Sequence, residues 1–254
     1  MNSAWTRVRE WVHGLKYHSD YDALVLLSGG LDSSTVTGLA SSNGRKIIAL
    51  SFSYGQRHSK EIESARKIAN HYGCAHAVVG VDLSQIGGSS LIDTSIDVEH
   101  RKLEEIGERM PTSYVPARNS VFLSVAFGMA ESHGATSVYI GANSLDYSGY
   151  PDCRQEYFNS MEVALNLGTS ESKPKEIRII SPLVRLTKSE IIAMGTRLGV
   201  PYELTWSCYE GGNNACGKCD SCLLRLKGFM EAGEKDPITY DHLPDFYAKY
   251  LKER

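Results

Sequence analysis

The stretch Ser28-Gly29-Gly30-Leu31-Asp32-Ser33-Ser34-Thr35 constrains this chain more than any other. The apolar run Ala23-Leu24-Val25-Leu26-Leu27 precedes it, short and branched enough for a strand buried in a parallel sheet. A helical pattern from Val36 to Leu39 follows. Two adjacent glycines therefore lie where a strand turns into a helix. Glycine tolerates positive φ and lets another group approach the backbone closely. The free N–H groups and the dipole of a helix start make an anion site there. Ser28, Ser33 and Ser34 add hydroxyls around the same point. The loop is not G-x-x-x-x-G-K-[ST], for it has no lysine, and not G-x-G-x-x-G, for its glycines are adjacent. Asp32 places a carboxylate inside an anion site, which makes sense if it caps loop N–H groups or faces a bridging Mg²⁺. The alternative is a plain Gly-Gly turn with Asp32 and Ser33 as helix caps. The strand before it, the helix after it and three hydroxyls weigh against that.

At 254 residues the chain can hold one large α/β domain and a small appendage. Further apolar runs at 46–52, 75–81, 137–140 and 177–180 read as strands, separated by helical patterns at 59–72, 121–130 and 155–167. The pattern predicts an α/β fold with a doubly wound, mostly parallel five-stranded sheet. Residues 1–20 carry Trp5, Val8, Trp11, Val12 and Leu15 at helical spacing and read as an amphipathic helical extension. Residues 21–200 read as the nucleotide-binding domain and 201–254 as a small metal-binding helical subdomain. Hydrophobic content of 42% with 22% charged residues suits a soluble globular protein. A net charge of −3 without a basic stripe favours small-molecule substrates over nucleic acid. No run of 18 apolar residues and no N-terminal apolar leader are present, so no membrane partner and a cytoplasmic location are expected.

In doubly wound folds ligands meet the carboxyl ends of the strands. Ser53, Tyr54 and Gln56 are placed there to meet a nucleotide, whereas Arg57 and His58 can instead begin a surface helix. Cys74 and His76 read as packing residues. Residues 84–111 lack periodicity, as a lid, a mobile loop or a solvated insertion would. Tyr114-Val115-Pro116-Ala117-Arg118-Asn119 opens the next helix, with Asn119 as N-cap and Arg118 free to clamp a phosphate or carboxylate. The loop Gly141 to Arg154 is rich in tyrosine, amide and carboxylate, as a heterocycle pocket would be. Asp146 or Asp152 could accept two bonds from a guanine-like edge, and the sequence does not choose. Cys153 has no evident general base to make it a nucleophile. Thr187 and Glu190 form a capping box, and Lys188 sits in the first helical turn. A cation is disfavoured there, which points to an anionic ligand.

Cys208, Cys216, Cys219 and Cys222 are spaced C-x7-C-x2-C-x2-C. Two C-x2-C steps read as a tetrahedral zinc site, with four protein ligands and hence a structural role. An iron–sulfur cluster is the alternative, although Leu223 stands where a proline often ends that pattern.

The motif S-G-G-L-D-S-S resembles the pyrophosphate loop of the ATP pyrophosphatase superfamily, whose members cleave ATP between the α and β phosphates. The loops Tyr54 to His58, Val115 to Asn119, Gly141 to Arg154 and Thr205 to Cys222 resemble those of the 7-cyano-7-deazaguanine synthase family. The resemblance spans about Ala23 to about Gly233. It implies an adenine nucleotide alpha hydrolase-like fold and a ligase forming carbon–nitrogen bonds in queuosine biosynthesis. In the implied reaction the carboxylate of 7-carboxy-7-deazaguanine attacks MgATP, ammonia converts the acyl-adenylate to an amide, and a second ATP activates the amide for conversion to the nitrile. Ser28, Gly29, Gly30, Leu31, Asp32, Ser33, Ser34 and Thr35 would hold the nucleotide, with Ser53, Tyr54 and Gln56. Asp32, Ser33, Lys188 and Arg118 would be catalytic, Lys188 resembling the lysine that many superfamily members aim at the ATP phosphates. Arg118, Asp146, Tyr147, Tyr150, Asp152 and Arg154 would form the substrate pocket. One structural zinc per chain, ATP with Mg²⁺ as co-substrate, and a homodimer are further expectations. Alternatives are a relative that joins the heterocycle to another amine, and a tRNA-modifying enzyme of the superfamily.

Overall fold

Five short apolar runs align in parallel at the centre of the fold. A computed structural model of the chain describes residues 12–13, 21–144, 150–169 and 176–254. The strands are β1 (Val12–His13), β2 (Ala23–Leu26), β3 (Ile47–Ser53), β4 (Ala75–Gly80), β5 (Ser137–Ile140) and β6 (Arg178–Ile180). They form one sheet in the order β1-β4-β3-β2-β5-β6. β2 to β6 are mutually parallel, and the expected parallel sheet is present. A sixth strand, β1, adds to the edge antiparallel to β4, with Val12 opposite Ala77. This corrects the expected helix over 1–20 at Val12 and His13; the rest of that stretch lies outside the described residues. The apolar spacing there fits either period over so few residues, and the free edge of β4 decides for strand pairing.

The helices are α1 (Leu31–Ser41), α2 (Lys60–His71), α3 (Arg118–His133), α4 (Gln155–Leu167), α5 (Lys188–Arg197), α6 (Asp220–Glu231) and α7 (Asp245–Glu253). Side chains alternate across a strand, so each strand feeds both faces. Leu24, Leu26, Ile48 and Leu50 pack with Leu123 and Phe127 of α3 and Phe158 of α4. Ala23, Val25 and Ile47 pack with Val36 of α1, Ile191 of α5 and Leu226 and Phe229 of α6. Leu27 and Ala49 meet Ala65 and Ile68 of α2. Both faces are covered, which is why the strands read as unbroken apolar runs. Among the described residues no helix is long and apolar enough to cross a membrane.

β2 and β5 are neighbours, yet their following helices pack on opposite sides. That is the switch point of the topology, where ligands bind beyond the strand ends. The loops after β2 and β5 meet there. A Cβ on Gly141 would lie 2.8 Å from the Ser33 nitrogen, so only glycine lets the two loops approach this closely.

The segment 84–111 contains two short turns of 3₁₀-helix, Ser84–Ile86 and Leu103–Glu105. It is not a solvated insertion. Ser89, Ser90, Leu91, Ile92 and Arg101 are buried. Arg57 donates to the carbonyls of Ser90, Asp93 and Ile96, so it is a tie for this segment rather than a surface residue. Glu99 accepts from the Thr112 N–H at 3.0 Å and from Arg109 at 2.7 Å. Arg101 pairs with Asp220 at the start of α6, and both are buried.

Removing one partner of a buried pair leaves the other charged and unsolvated. Arg101→Ala is therefore expected to cost about 3–5 kcal/mol of stability. Urea unfolding measures the loss, and limited proteolysis should then cut first within 84–111.

Candidate active site

The loop after β2 ends at the first turn of α1, and its backbone turns at Gly29 with φ +83°. A Cβ on Gly29 would lie 2.3 Å from the Glu61 carbonyl oxygen. The loop is closed by its own hydroxyls. Ser28 Oγ and Ser33 Oγ lie 2.9 Å apart, Ser33 donates to the Gly30 carbonyl at 3.1 Å, and the Ser28 N–H donates to Ser33 Oγ at 3.2 Å. Lys188, first residue of α5, reaches across and donates to both oxygens of Asp32 at 2.8 and 2.7 Å. Its place at a helix start is explained by that carboxylate. Thr187 caps α5 with Glu190 as its box partner, as the sequence predicts.

A cavity of about 300 Å³ opens above this loop. Ser28, Gly30, Asp32, Ser33 and Lys188 line one end, and Tyr54, Arg118, Ser113, Tyr150 and Leu91 are also in its wall. Burial works against the Arg118 charge, but Tyr54, Tyr150, Cys153 and Asp152 favour it and hold the guanidinium protonated. Arg118 follows Ala117, a non-glycine at φ +57°, a backbone conformation that carries strain of order 1 kcal/mol. The Tyr54 hydroxyl is pushed up to about 12, chiefly by burial and then by Glu61. Phe52 and Phe122 stack at 3.9 Å between centroids beside Tyr54, giving the cavity a flat apolar wall.

Several expected residues lie elsewhere. Thr35 turns into the core, where its hydroxyl meets Tyr202 at 2.9 Å. Ser34 is fully buried and its hydroxyl has no hydrogen-bond partner among the described residues. Ser53 ends β3 outside the cavity wall. Gln56 folds back, accepting from the Tyr54 N–H at 2.7 Å and donating to the Phe52 carbonyl at 3.1 Å. Asn119 is not the N-cap of α3; Ala117 is, and the Asn119 side chain donates to the Asp152 carbonyl at 3.0 Å. Asp152 is buried against α3, its Oδ2 3.4 Å from the Asn119 backbone N–H, so it serves that helix start. Arg154 is exposed at the start of α4. Asp146 and Tyr147 lie outside the described residues. Tyr150 does line the cavity, its hydroxyl 3.1 Å from Ser113 Oγ.

Sequence reading missed the far wall. Trp206, Ser207, Tyr209, Ser221 and Arg225 line the cavity from the cysteine-bearing segment. The Trp206 N–H donates to the Gly29 carbonyl at 2.9 Å. Arg225 is buried, bidentate on Asp236 at 2.7 and 2.9 Å, and also bonds Thr205 at 2.7 Å. The signal was present as Thr205-Trp206-Ser207 beside Cys208, but it reads as metal-site sequence until the segment is seen folded over the loop.

The four cysteines are buried and unbridged, with sulfurs within 4.8 Å of one another. Backbone N–H groups of Glu210 and Cys216 point at Cys208 Sγ (3.4 and 3.3 Å), and those of Lys218 and Cys219 at Cys216 Sγ (3.4 and 3.3 Å). Hydrogen bonds from its neighbours, Cys216 first, hold the Cys208 thiol well below the usual range. Convergent N–H groups favour thiolates, and the cluster could hold a metal ion.

The family model for the queuosine biosynthesis protein QueC matches residues 22–233. The 7-cyano-7-deazaguanine synthase of Thermoplasma acidophilum is 59% identical over 91% of this chain and 97% of its own. That of Picrophilus torridus is 56% identical over 91% and 97%. The synthase of Nostoc punctiforme is 52% identical over 86% of this chain and 99% of its own.

Cys153 lines the cavity, but burial and then Asp152 push its thiol up to about 12. The thiolate is the nucleophile, so at neutral pH Cys153 should be inert. Cys153→Ala is expected to keep turnover within about threefold, and iodoacetamide at neutral pH should leave Cys153 unlabelled on peptide mapping.

Proposed function

The chain belongs to the queuosine biosynthesis protein QueC family, and from that premise we propose that it converts 7-carboxy-7-deazaguanine and ammonia, with ATP, into 7-cyano-7-deazaguanine. It is a ligase that forms carbon–nitrogen bonds. The observation that carries the reading is the cavity at the switch point, which joins an anion loop to a wall of flat rings and to Arg118. A carboxylate is a poor electrophile because its leaving group would be oxide; adenylation supplies a good leaving group. The same activation, applied again to the amide oxygen, permits loss of AMP and formation of the nitrile.

The residues divide by the charge they meet. Ser28, Gly30 and Ser33 offer backbone and hydroxyl donors to the pyrophosphate that leaves. Lys188 neutralises phosphate charge once ATP draws it from Asp32. Asp32, open into the cavity, would hold Mg²⁺, which lowers the cost of charge developing on pyrophosphate. Arg118 is suited to orient the substrate carboxylate. Tyr54, Phe122 and Tyr150 supply surfaces for a planar heterocycle. Residues 21–200 would carry most of this nucleotide site, and 201–254 would carry the metal site and one wall of the cavity. The enzyme would act in the cytoplasm as a homodimer.

Zinc suits the four cysteines. Cys216 and Cys222 sulfurs lie 3.9 Å apart, close to the edge of a tetrahedron with Zn–S bonds of about 2.3 Å. This spacing fits a single ion held by four sulfurs. Four protein ligands leave no open position, so the ion would hold Trp206, Ser207 and Tyr209 over the loop.

Incubating the enzyme with 7-carboxy-7-deazaguanine, ammonium and MgATP should give the nitrile and AMP by mass spectrometry; a product that stops at an amide, or that carries another amine, would sink the reading. Metal analysis should find zinc. Prolonged chelation should remove it with loss of both thermal stability and ATP binding, because the same segment roofs the cavity. Iron with visible absorbance would overturn the zinc assignment.

A further inference from the structure

One polar group in the cavity has no task in the reaction described above. Glu61 is the second residue of α2 and lines the cavity. Among the described residues its carboxylate makes no hydrogen bond and no ion pair. Its backbone carbonyl packs on Gly29, so its side chain enters the cavity from the wall next to the anion loop. It therefore shares one cavity with the anion loop and with Arg118, the group proposed above to orient the substrate carboxylate.

That chemistry needs a proton acceptor. Ammonia's lone pair forms the C–N bond, the C–O bond to AMP breaks with its electrons leaving on AMP, and the nitrogen gives up a proton to leave the amide. In the second round the amide oxygen bonds to the α-phosphate of a second ATP as pyrophosphate leaves. The nitrogen then sheds its remaining protons while the C–O bond breaks, the third C–N bond forms and AMP departs. Asp32 is tied to Lys188, and Asp152 to the start of α3. Resting on the reaction proposed above, we infer that Glu61 is the catalytic base that takes the protons from the ammonia-derived nitrogen.

Its surroundings suit the task. Burial raises the Glu61 carboxyl to about 7 against the opposing pull of Arg118, with a further upward push from Cys208. Arg118 faces it from α3, Tyr54 from the end of β3 and Cys208 from the cysteine segment; the Asp32–Lys188 pair stands on the loop wall. Lys60, the preceding residue, turns away over the Trp206 ring at 4.3 Å. A base near neutrality accepts a proton from nitrogen and returns it to solvent between rounds, where an ordinary carboxylate is too weak.

The test separates adenylation from loss of nitrogen protons. ATP–pyrophosphate exchange with 7-carboxy-7-deazaguanine, without ammonia, reads the first. Single-turnover conversion of 7-amido-7-deazaguanine with MgATP reads the second. Glu61→Gln should keep exchange within about threefold and lose amide conversion by about 100-fold or more. In wild-type enzyme amide conversion should fall as pH drops through about 7, where the base becomes protonated, and Glu61→Gln should lack that limb. Glu61→Asp should keep the limb at a reduced rate, which covers the case of a poorly folded glutamine variant. Nitrile formation by Glu61→Gln at the wild-type rate, an unchanged limb, or equal loss of both activities would overturn the assignment. No nitrile from wild-type enzyme would instead overturn the reaction on which it rests.

Discussion

Gly29 is where three parts of the chain touch. Its backbone lies against Glu61 and Ala65 of α2 too closely for any side chain, and its carbonyl accepts the Trp206 N–H at 2.9 Å. A residue with a Cβ would push α2 away or flatten the turn, because φ +83° is open to glycine at little cost. The anion loop, the helix that brings Glu61 and the cysteine segment that roofs the cavity therefore meet at this one residue. The loop's donors keep their direction because Ser28 and Ser33 bond one another and the backbone instead of turning to solvent. Preorganised donors of this kind stabilise charge without reorganising when it develops.

The cysteine cluster is tied to the site in the same physical terms. Cys208 follows directly on Trp206 and Ser207, and the Trp206 indole donates to the Cys208 carbonyl at 2.9 Å. Cys219 and Cys222 frame the start of α6, whose Asp220 holds Arg101 and whose Arg225 holds Asp236. A metal there would order a wall of the cavity, the cover segment 84–111 and the packing of α6 on the sheet together. The Arg101–Asp220 and Arg225–Asp236 links are buried ion pairs, so each is costly to break and leaves little freedom between the parts.

Much of this was legible in the residue order. The strand runs, the helix that α4 forms and the box of Thr187 with Glu190 stand as read, because apolar period and capping chemistry are local properties. Asn119 and Asp152 show contacts that local reading does not reach. Each has the chemistry of a site residue, and each spends it on the other, joining α3 to the loop before α4. Gln56 likewise satisfies its own loop. Glu61 was invisible for the opposite reason. An acidic residue in a first helical turn is ordinary, and only its half-buried place in the cavity wall beside the loop after β2 makes it unusual.

The sequence by itself determined the alternating α/β order, the anion loop between β2 and α1, and four cysteines at metal-binding spacing, since each depends on neighbours within a few residues. Tertiary structure alone decided which carboxylates face the cavity, that Lys188 meets Asp32 across 156 positions, and that the cysteine segment forms a wall of the site. Those outcomes depend on strand order and on which helix covers which face, and such long-range placement leaves no periodicity in the residues that take part.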